Sequence, residues 1–213
     1  AQAGDDRVTI EKFAGNLNKE ASRLSLLVQD IIELSRLQSE EVLAEAELVD
    51  LSIVVSEAVD RNEQLASKRN IRLLSEGGAG PEVFGNKEML TAAVKNLIEN
   101  AINYSDPGSQ VGIGCMAKGP LAEIVVTDSG AGISAENQER VFERFYRIDP
   151  SRSRETGGTG LGLSIVKHVA KIHRGDVKLF SQLGVGSTFT IRIPLATAAD
   201  PVTGTIKVVP EAS

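Results

Sequence analysis

The stretch Gly157-Gly158-Thr159-Gly160-Leu161-Gly162-Leu163 joins a glycine-rich loop directly to an apolar helix. Glycine reaches left-handed and crowded backbone conformations that other residues resist. The start of a helix directs unpaired N–H groups and the positive end of a dipole towards an anion. We therefore interpret residues 157–163 as a phosphate-binding loop.

A carboxylate followed by two glycines lies upstream, in Asp128-Ser129-Gly130-Ala131-Gly132. An ionised carboxylate can only accept hydrogen bonds, so it suits a flat heterocycle that carries an amine, and the glycines leave space for the ring. The two motifs together predict a nucleotide site, with the base at Asp128 and the phosphates at residues 157–163.

Spacings of four and three residues place three asparagines on one face of a helix predicted over residues 87–103. These are Asn96, Asn100 and Asn103. The residues alone leave two interpretations open: a solvated polar face, or amide oxygens offered to Mg2+ with amide N–H groups offered to phosphate or ribose. Mg2+ prefers oxygen ligands and keeps several waters, so one protein ligand beside ATP phosphates is sufficient.

Composition and charge narrow the class of protein. The chain is 41% hydrophobic and 24% charged, as is usual for a globular protein. Its net charge of −6 argues against broad nucleic-acid binding, which needs a basic face. A lone cysteine, Cys115, indicates a reducing compartment. No apolar run approaches the roughly 18 residues that cross a bilayer, so we expect no membrane contact by this chain. From the negative net charge we expect no nucleic-acid partner.

Residues 8–40 contain no proline and only one glycine, Gly15, and they show apolar repeats every seven residues. The repeats are Leu17-Leu24-Ile31, Ala21-Val28-Ser35 and Leu27-Leu34. This apolar face is broader than a two-stranded coiled coil needs. Two interpretations stand: an amphipathic helix packed on its own domain, or one helix of a dimerisation bundle. We favour the bundle, because the helix is long and precedes the globular part.

Turn signals and periodicity divide the rest of the chain. We predict a partial dimerisation helix at 1–42, a linker at 43–50, a catalytic domain at 51–196 and a disordered tail at 197–213. Predicted strands cover 70–74, 83–85, 110–118, 121–128, 176–181 and 187–194. Predicted helices cover 51–68, capped by Asp50 or Ser52, 87–103, capped by Asn86, 134–142 and 161–173. Residues 146–158, with three arginines, are predicted to form a mobile lid.

Five motifs in this order resemble the conserved boxes of sensor histidine kinases. They are the N box at Asn96–Ser105, the G1 box at Asp128–Ile133, the F box at Phe142–Arg147, the G2 box at Gly158–Leu163 and the final glycine motif at Gly184–Thr188. The 8–40 helix resembles the second helix of that family's dimerisation and phosphotransfer hairpin. The chain is most similar to the phosphate-responsive class of actinobacterial sensor kinases.

The resemblance implies a Bergerat-type two-layer α/β sandwich with a mixed sheet, preceded by a long dimerisation helix. It implies ATP and Mg2+ as ligands. Asn100 would hold Mg2+, Asn96 would support the phosphates and Arg147 would contact the γ-phosphate. Asp128 would accept the adenine amine, with Tyr104 on the ring and Thr188 behind it. The other implied nucleotide contacts are Asn103, Gly130, Gly132, Ile133, Gly158, Thr159, Gly160, Leu161, Gly162 and Leu163.

Two departures from the family pattern stand out. Position 103 is Asn103 where the family often has a basic residue, which weakens a phosphate contact from there. The histidine–acid pair that accepts phosphate in the family is absent. The chain has only His168 and His173, which we interpret as exposed helix histidines. We therefore expect a fragment that begins after the first hairpin helix.

The resemblance implies the ATP-binding catalytic portion of a two-component sensor histidine kinase. The γ-phosphate of ATP would pass to a histidine and then to an aspartate of a response regulator. The intact parent would be a homodimer, and this part of it the cytoplasmic portion of a membrane-anchored bacterial sensor. The alternatives are another ATPase or serine kinase of the superfamily, and a non-catalytic dimerisation module. Asn96 argues against a hydrolase, since hydrolytic members have a glutamate at that position.

Overall fold

The computed structural model describes residues 13–15, 17, 21, 28, 42–75, 77–148, 159–197 and 203–207. The strands are β1 Val42–Asp50, β2 Arg72–Ser75, β3 Glu82–Gly85, β4 Gln110–Lys118, β5 Leu121–Asp128, β6 Asp176–Gln182, β7 Gly186–Pro194 and β8 Thr203–Lys207. The helices are α1 Leu51–Arg69, α2 Lys87–Tyr104 and α3 Gly162–Ile172, with short 3-10 turns at Ala135–Asn137 and Arg140–Phe142.

A five-stranded mixed sheet forms one layer of the domain. Its strand order is β2-β4-β5-β7-β6, in which β2 and β4 are parallel and the other pairs are antiparallel. Alternate residues of β5 and β7, including Ile124, Phe189 and Ile191, are buried against the three helices in a mostly aliphatic core. The predicted two-layer α/β sandwich with a mixed sheet is confirmed.

Side-chain caps fix where the first two helices begin. The Oδ1 atom of Asp50 accepts hydrogen bonds from the backbone N–H of Ser52 at 2.8 Å and from its hydroxyl at 2.7 Å. These bonds lower the pKa of Asp50. Asn86 caps α2 by accepting from the N–H of Met89 at 3.0 Å. Asp50 is therefore the cap of α1, and the prediction for Asn86 is confirmed.

Two segments predicted to lie outside the domain, a linker with one short extended stretch and a disordered tail, contain strands. Residues 43–50, predicted as a linker, lie in β1, which pairs antiparallel with β3 and β8 in a second sheet. Part of the tail predicted to be disordered forms β8. Burial along β1 does not alternate, since Ala46 and Val49 are buried and Leu48 is exposed, so the strand has no period-two signature. β8 pairs with the edge of β1 that β3 leaves free.

The helix predicted over residues 134–142 is replaced by two 3-10 turns. Asn137 donates its side-chain N–H to the Ser134 hydroxyl, and Gln138 donates to the carbonyl oxygen of Ile133. Such local side-chain bonds compete with a continuous helical ladder. The prediction of one helix here was wrong because these polar side chains stabilise the turns instead.

The described part of the predicted N-terminal helix is helical at residues 13–15, 17, 21 and 28. At three of these positions the apolar side chains are exposed: Phe13 by 67%, Leu17 by 69% and Val28 by 53%. The remaining residues of the predicted repeats lie outside the described part of the chain, namely Leu24, Leu27, Ile31, Leu34 and Ser35. No helix in that described part is long and apolar enough to cross a bilayer.

His173 is buried, which corrects the prediction of an exposed histidine. Only 3% of it is accessible. Its Nε2 accepts from the backbone N–H of Asn86 at 3.0 Å, and its Nδ1 lies 2.7 Å from the carbonyl oxygen of Val169. Burial lowers the pKa of His173 to about 4. Gly85 leaves the space that the ring occupies. His168 is half-buried on α3.

Candidate nucleotide-binding site

Asp128 ends β5 on the helix-covered side of the sheet, and only 9% of it is exposed. Its Oδ1 accepts from the N–H of Gly130 at 2.8 Å and from the N–H of Ser187 at 3.3 Å. Burial raises the pKa of the carboxyl, and the two N–H donors oppose that shift. Among the described residues no donor engages Oδ2, so this oxygen can accept from an incoming amine.

The two glycines after Asp128 allow close backbone packing around the loop. A Cβ on Gly130 would overlap the carbonyl oxygen of Tyr104, which accepts from the N–H of Ala131 at 3.3 Å. Gly132 has a φ of 68°, and a Cβ there would overlap the carbonyl oxygen of Gln182. The sequence predicted that these glycines leave space for a base. In the structure, the missing Cβ atoms allow the backbone of Tyr104 and of Gln182 to pack against the loop.

The end of this loop is tied to the β6–β7 hairpin. The N–H of Ile133 donates to the Ser181 hydroxyl at 2.8 Å. Gln138 Nε2 donates both to the carbonyl oxygen of Ile133 at 3.0 Å and to that of Ser181 at 2.9 Å. Ile133, a predicted nucleotide contact, packs against the core. Ser181 and Gln138 were not predicted from the sequence, because only the fold brings these residues together with the Asp128 loop.

Helix α2 carries the three predicted asparagines, all of which are half-buried. Asn96 Nδ2 donates to the carbonyl oxygen of Ala92 at 3.0 Å. A Cβ on Gly162 would lie 3.0 Å from Asn96 Oδ1, so the N box and the G2 box meet here. Within the described part of the chain, neither the Asn100 nor the Asn103 side chain makes a hydrogen bond. The Asn100 amide is thus available to a ligand.

The G2 loop packs against the F box. Gly160 has a φ of 79°, and its carbonyl oxygen accepts from the N–H of Phe145 at 2.9 Å. A Cβ at Gly160 would lie 2.9 Å from the carbonyl carbon of Phe145. Phe145 itself has a φ of 63°, which is rare for an aromatic residue. Half-buried Arg147 follows two residues later, which places it close to this junction.

Helix α3 begins where the G2 loop ends. Among the described residues no side chain caps its first turn, and that turn contains no acidic residue, so its N–H groups are available to an anion. The Thr159 hydroxyl accepts from the N–H of Leu161 at 3.3 Å. Leu161 is fully buried and Leu163 packs on the core, so only their backbone is suited to a ligand. Gly158 and most of the predicted lid lie outside the described residues.

Thr188 does not lie beside Asp128. Its hydroxyl is 3.1 Å from that of Thr127, its cross-strand partner on the opposite face of the sheet. Ser187 pairs with Asp128 instead and is buried on the same face. Strand alternation carries the signal that sequence reasoning missed, since Ser187 shares its face with the buried Phe189. The expectation for Thr188 is therefore replaced by Ser187.

The two ends of the site lie along one helix. Tyr104, with 42% of its surface exposed, contacts the Asp128 loop through its backbone, whereas Asn96 contacts the G2 box. These residues are eight positions apart, which corresponds to about 12 Å along an α-helix. The geometry therefore suits an elongated ligand, with an amine at the Asp128 end and anionic groups at the start of α3.

Comparison with known proteins agrees with this geometry. The profile of the family described as histidine kinase-, DNA gyrase B-, and HSP90-like ATPase matches residues 85–197. The sensor-like histidine kinase SenX3 of Mycolicibacterium smegmatis is 47% identical over 192 residues, which cover 90% of this chain and 50% of that protein. The sensor histidine kinase RppB of Synechocystis sp. is 41% identical, over 87% of this chain and 41% of that protein.

Two solved structures extend the likeness. The mycobacterial sensor histidine kinase MprB has a TM-score of 0.61 at 32% identity, covering 70% of this chain and 97% of that one. Full-length ShkA, in complex with AMPPNP, has a TM-score of 0.71 at 25% identity, covering 83% of this chain and 37% of that one. The chain spans about half the length of the curated relatives it matches.

The motif order, the fold and these comparisons lead to one conclusion. The chain belongs to the family of histidine kinase-, DNA gyrase B- and HSP90-like ATPases, and within it to the catalytic ATP-binding domains of sensor histidine kinases.

Proposed function

We propose that this chain binds ATP with Mg2+ and presents the γ-phosphate to a histidine on a dimerisation helix. The observation that carries the proposal is the nearly buried Asp128 carboxylate, one oxygen of which is held by two backbone N–H groups while Oδ2 is open. This arrangement suits the amine of adenine and repels the carbonyl of guanine. The AMPPNP in the ShkA complex supports an adenine nucleotide as ligand.

The remaining residues fit the other parts of ATP. Tyr104 offers a half-exposed ring at the base end. Asn96 and Gly160 lie near the start of α3 at Gly162, which no described side chain caps, and the phosphates would lie there. Asn100 is suited to bind Mg2+ through its side-chain oxygen, because no described residue forms a hydrogen bond with its amide. Bound there, Mg2+ would neutralise phosphate charge, which is the main requirement of phosphoryl transfer.

The side chains of α2 support transfer of the γ-phosphate to a partner histidine better than they support hydrolysis of ATP. Asn96 is neutral and its amide is tied to Ala92, so it cannot activate water. The nearby Glu99 pairs with Lys95 at 2.8 Å. The intact Asp128 pocket argues equally against a non-catalytic dimerisation module. Arg147, close to the G2 junction, is the candidate contact to the γ-phosphate.

The expected partners follow from this assignment. The exposed apolar positions Phe13, Leu17 and Val28 support a helix that packs in a homodimeric bundle of the parent protein. The acceptor histidine would lie on the companion helix of that bundle. A response regulator would then take the phosphoryl group on an aspartate. We place this chain in the cytoplasmic portion of a membrane-anchored bacterial sensor.

The test is calorimetric titration with ATP and ADP, with and without Mg2+, followed by incubation with radiolabelled ATP. We expect Mg2+-dependent ATP binding, and acid-labile label on a partner chain that carries the hairpin histidine. Asp128→Asn in the same incubation is the control. An unmodified chain that does not bind adenine nucleotides, or that transfers no label to such a partner, would contradict the proposal.

A further inference from the structure

Three polar residues from three adjacent strands form a row on the pocket side of the sheet. Ser181 of β6 pairs with Ser187 of β7, and Ser187 pairs with Asp128 of β5. Ser187 lies between the other two, and its N–H donates to the Asp128 carboxylate. Ser181 lies outside every motif by which the sequence was assigned, yet it belongs to the same row as the base-recognising carboxylate.

The hydroxyl of Ser181 has three neighbours. It accepts from the N–H of Ile133 at 2.8 Å and donates to the carbonyl oxygen of Gly186 at 2.9 Å. The hydroxyl of Ser187 lies 3.0 Å away. A serine hydroxyl has one proton, and here the carbonyl takes it. With its proton on the Gly186 carbonyl, Ser181 accepts from Ser187, and any further hydrogen bond at Ser187 Oγ is then one that it accepts.

We propose that Ser181 is a positioning residue for base selectivity, since it commits Ser187 to accepting hydrogen bonds beside Asp128. The proposal rests on the proposed nucleotide site. Both side chains then present acceptors to the purine, which favours an amine at position 6 over a carbonyl. Without the Ser181 oxygen, the Ser187 proton becomes available to a carbonyl, and selectivity falls.

The same hydroxyl also attaches the Asp128 loop to the hairpin, together with Gln138. Ser181 holds the N–H of Ile133, and Gln138 holds the carbonyl oxygens of both Ile133 and Ser181. The N–H of Gly184 donates to the carbonyl oxygen of Ala131 at 2.7 Å. The loop that begins at Asp128 is thus fixed at two points, and its order depends on these bonds.

The test measures the affinity for ADP and for inosine diphosphate, whose base has a carbonyl where adenine has the amine. For Ser181→Ala we expect the ADP affinity and the preference for ADP over inosine diphosphate each to fall by about tenfold. Ser181→Thr retains the hydroxyl and is expected to retain the preference. The ATP-to-ADP affinity ratio is expected not to change in any variant, because the γ-phosphate end is untouched.

A second variant leaves Ser181 in place. Gln138→Glu replaces the two donated bonds with a repelled carboxylate, so it is expected to lower ADP affinity by about tenfold without changing base preference. Gln182→Glu is the matched control, because that side chain lies on the same hairpin and is exposed. Thermal unfolding monitors the fold of each variant.

The outcomes separate two failures. An unmodified chain that binds neither nucleotide contradicts the proposed function itself. An unmodified chain that prefers ADP, alongside a folded Ser181→Ala variant whose preference is within twofold of it, overturns the role of Ser181 alone. Unchanged ADP affinity in Gln138→Glu overturns the attachment of the loop.

Discussion

Gly132→Ala tests how closely the Asp128 loop packs against the β6–β7 hairpin. Two costs combine at this position. The φ of 68° is left-handed, which costs a residue with a Cβ about 1–2 kcal/mol. The new Cβ would overlap the carbonyl oxygen of Gln182 and lie 2.7 Å from its carbonyl carbon, and such overpacking costs about 1–3 kcal/mol. We expect Gly132→Ala to lower the free energy of unfolding by about 2–5 kcal/mol.

Two other glycines provide matched controls for the same substitution. Gly184 has a φ of 77° with no atom within 4 Å of the position that a Cβ would occupy, so Gly184→Ala has only the conformational cost of about 1–2 kcal/mol. Gly112 lies in β4 with open space around its Cβ position and no left-handed φ, so Gly112→Ala is expected to be neutral or slightly stabilising.

Urea denaturation of the three variants gives the free energies, and ADP titration gives the binding. We expect Gly132→Ala to be the most destabilising of the three variants, Gly184→Ala to be intermediate and Gly112→Ala to be the least destabilising. The affinity for ADP is expected to fall most in Gly132→Ala. Equal destabilisation by Gly132→Ala and Gly184→Ala would refute the close approach to Gln182, since only that contact separates the two positions.

Three further predictions concern acid stability, the metal and the acceptor. Burial lowers the pKa of His173 from its ordinary 6.5 to about 4, so the free energy of unfolding is expected to fall as the pH falls from about 6.5 to about 4. Measured by urea denaturation, this loss is expected to exceed that of His173→Gln by about 3 kcal/mol. Parallel pH dependence in the two proteins would contradict this. Asn100→Ala is expected to abolish Mg2+-dependent phosphoryl transfer at unchanged thermal stability; undiminished transfer would contradict the metal assignment. Residues 8–40 lack a histidine, so the isolated chain is expected to bind radiolabelled ATP without labelling itself; strong acid-labile label would contradict this.

Alternation and capping explain why much of the fold was predictable. The hairpin strands 110–118 and 121–128 were predicted with the bounds that the structure has, because Gly119 and Pro120 separate two clear patterns. Asn86 was predicted as a cap from its place before an apolar helix, and it is one. These signals are local, so they need no knowledge of distant contacts.

The errors arose where distant contacts decide the structure. Thr188 was assigned by its place in a motif, although the pairing of β7 with β5 turns Ser187, and not Thr188, towards Asp128. His173 is buried because Gly85, far away in sequence, leaves space for its ring. Residues 43–50 form a strand because β3 and β8 pair with it. The contacts of His173 and of β1 have no local signature, whereas the alternating burial of β7 already distinguishes Ser187 from Thr188.

The most direct test of the account is the affinity of Asp128→Asn for ATP, measured beside that of the unmodified chain for ATP and GTP. The asparagine oxygen can still accept from Gly130 and Ser187, so the fold is expected to persist. Its amide N–H groups would oppose the adenine amine, and ATP affinity is expected to fall more than tenfold, which is a loss of at least about 1.4 kcal/mol. The unmodified chain is expected to prefer ATP over GTP. Equal affinity of the unmodified chain for GTP and ATP, or undiminished ATP binding by folded Asp128→Asn, would contradict the central claim.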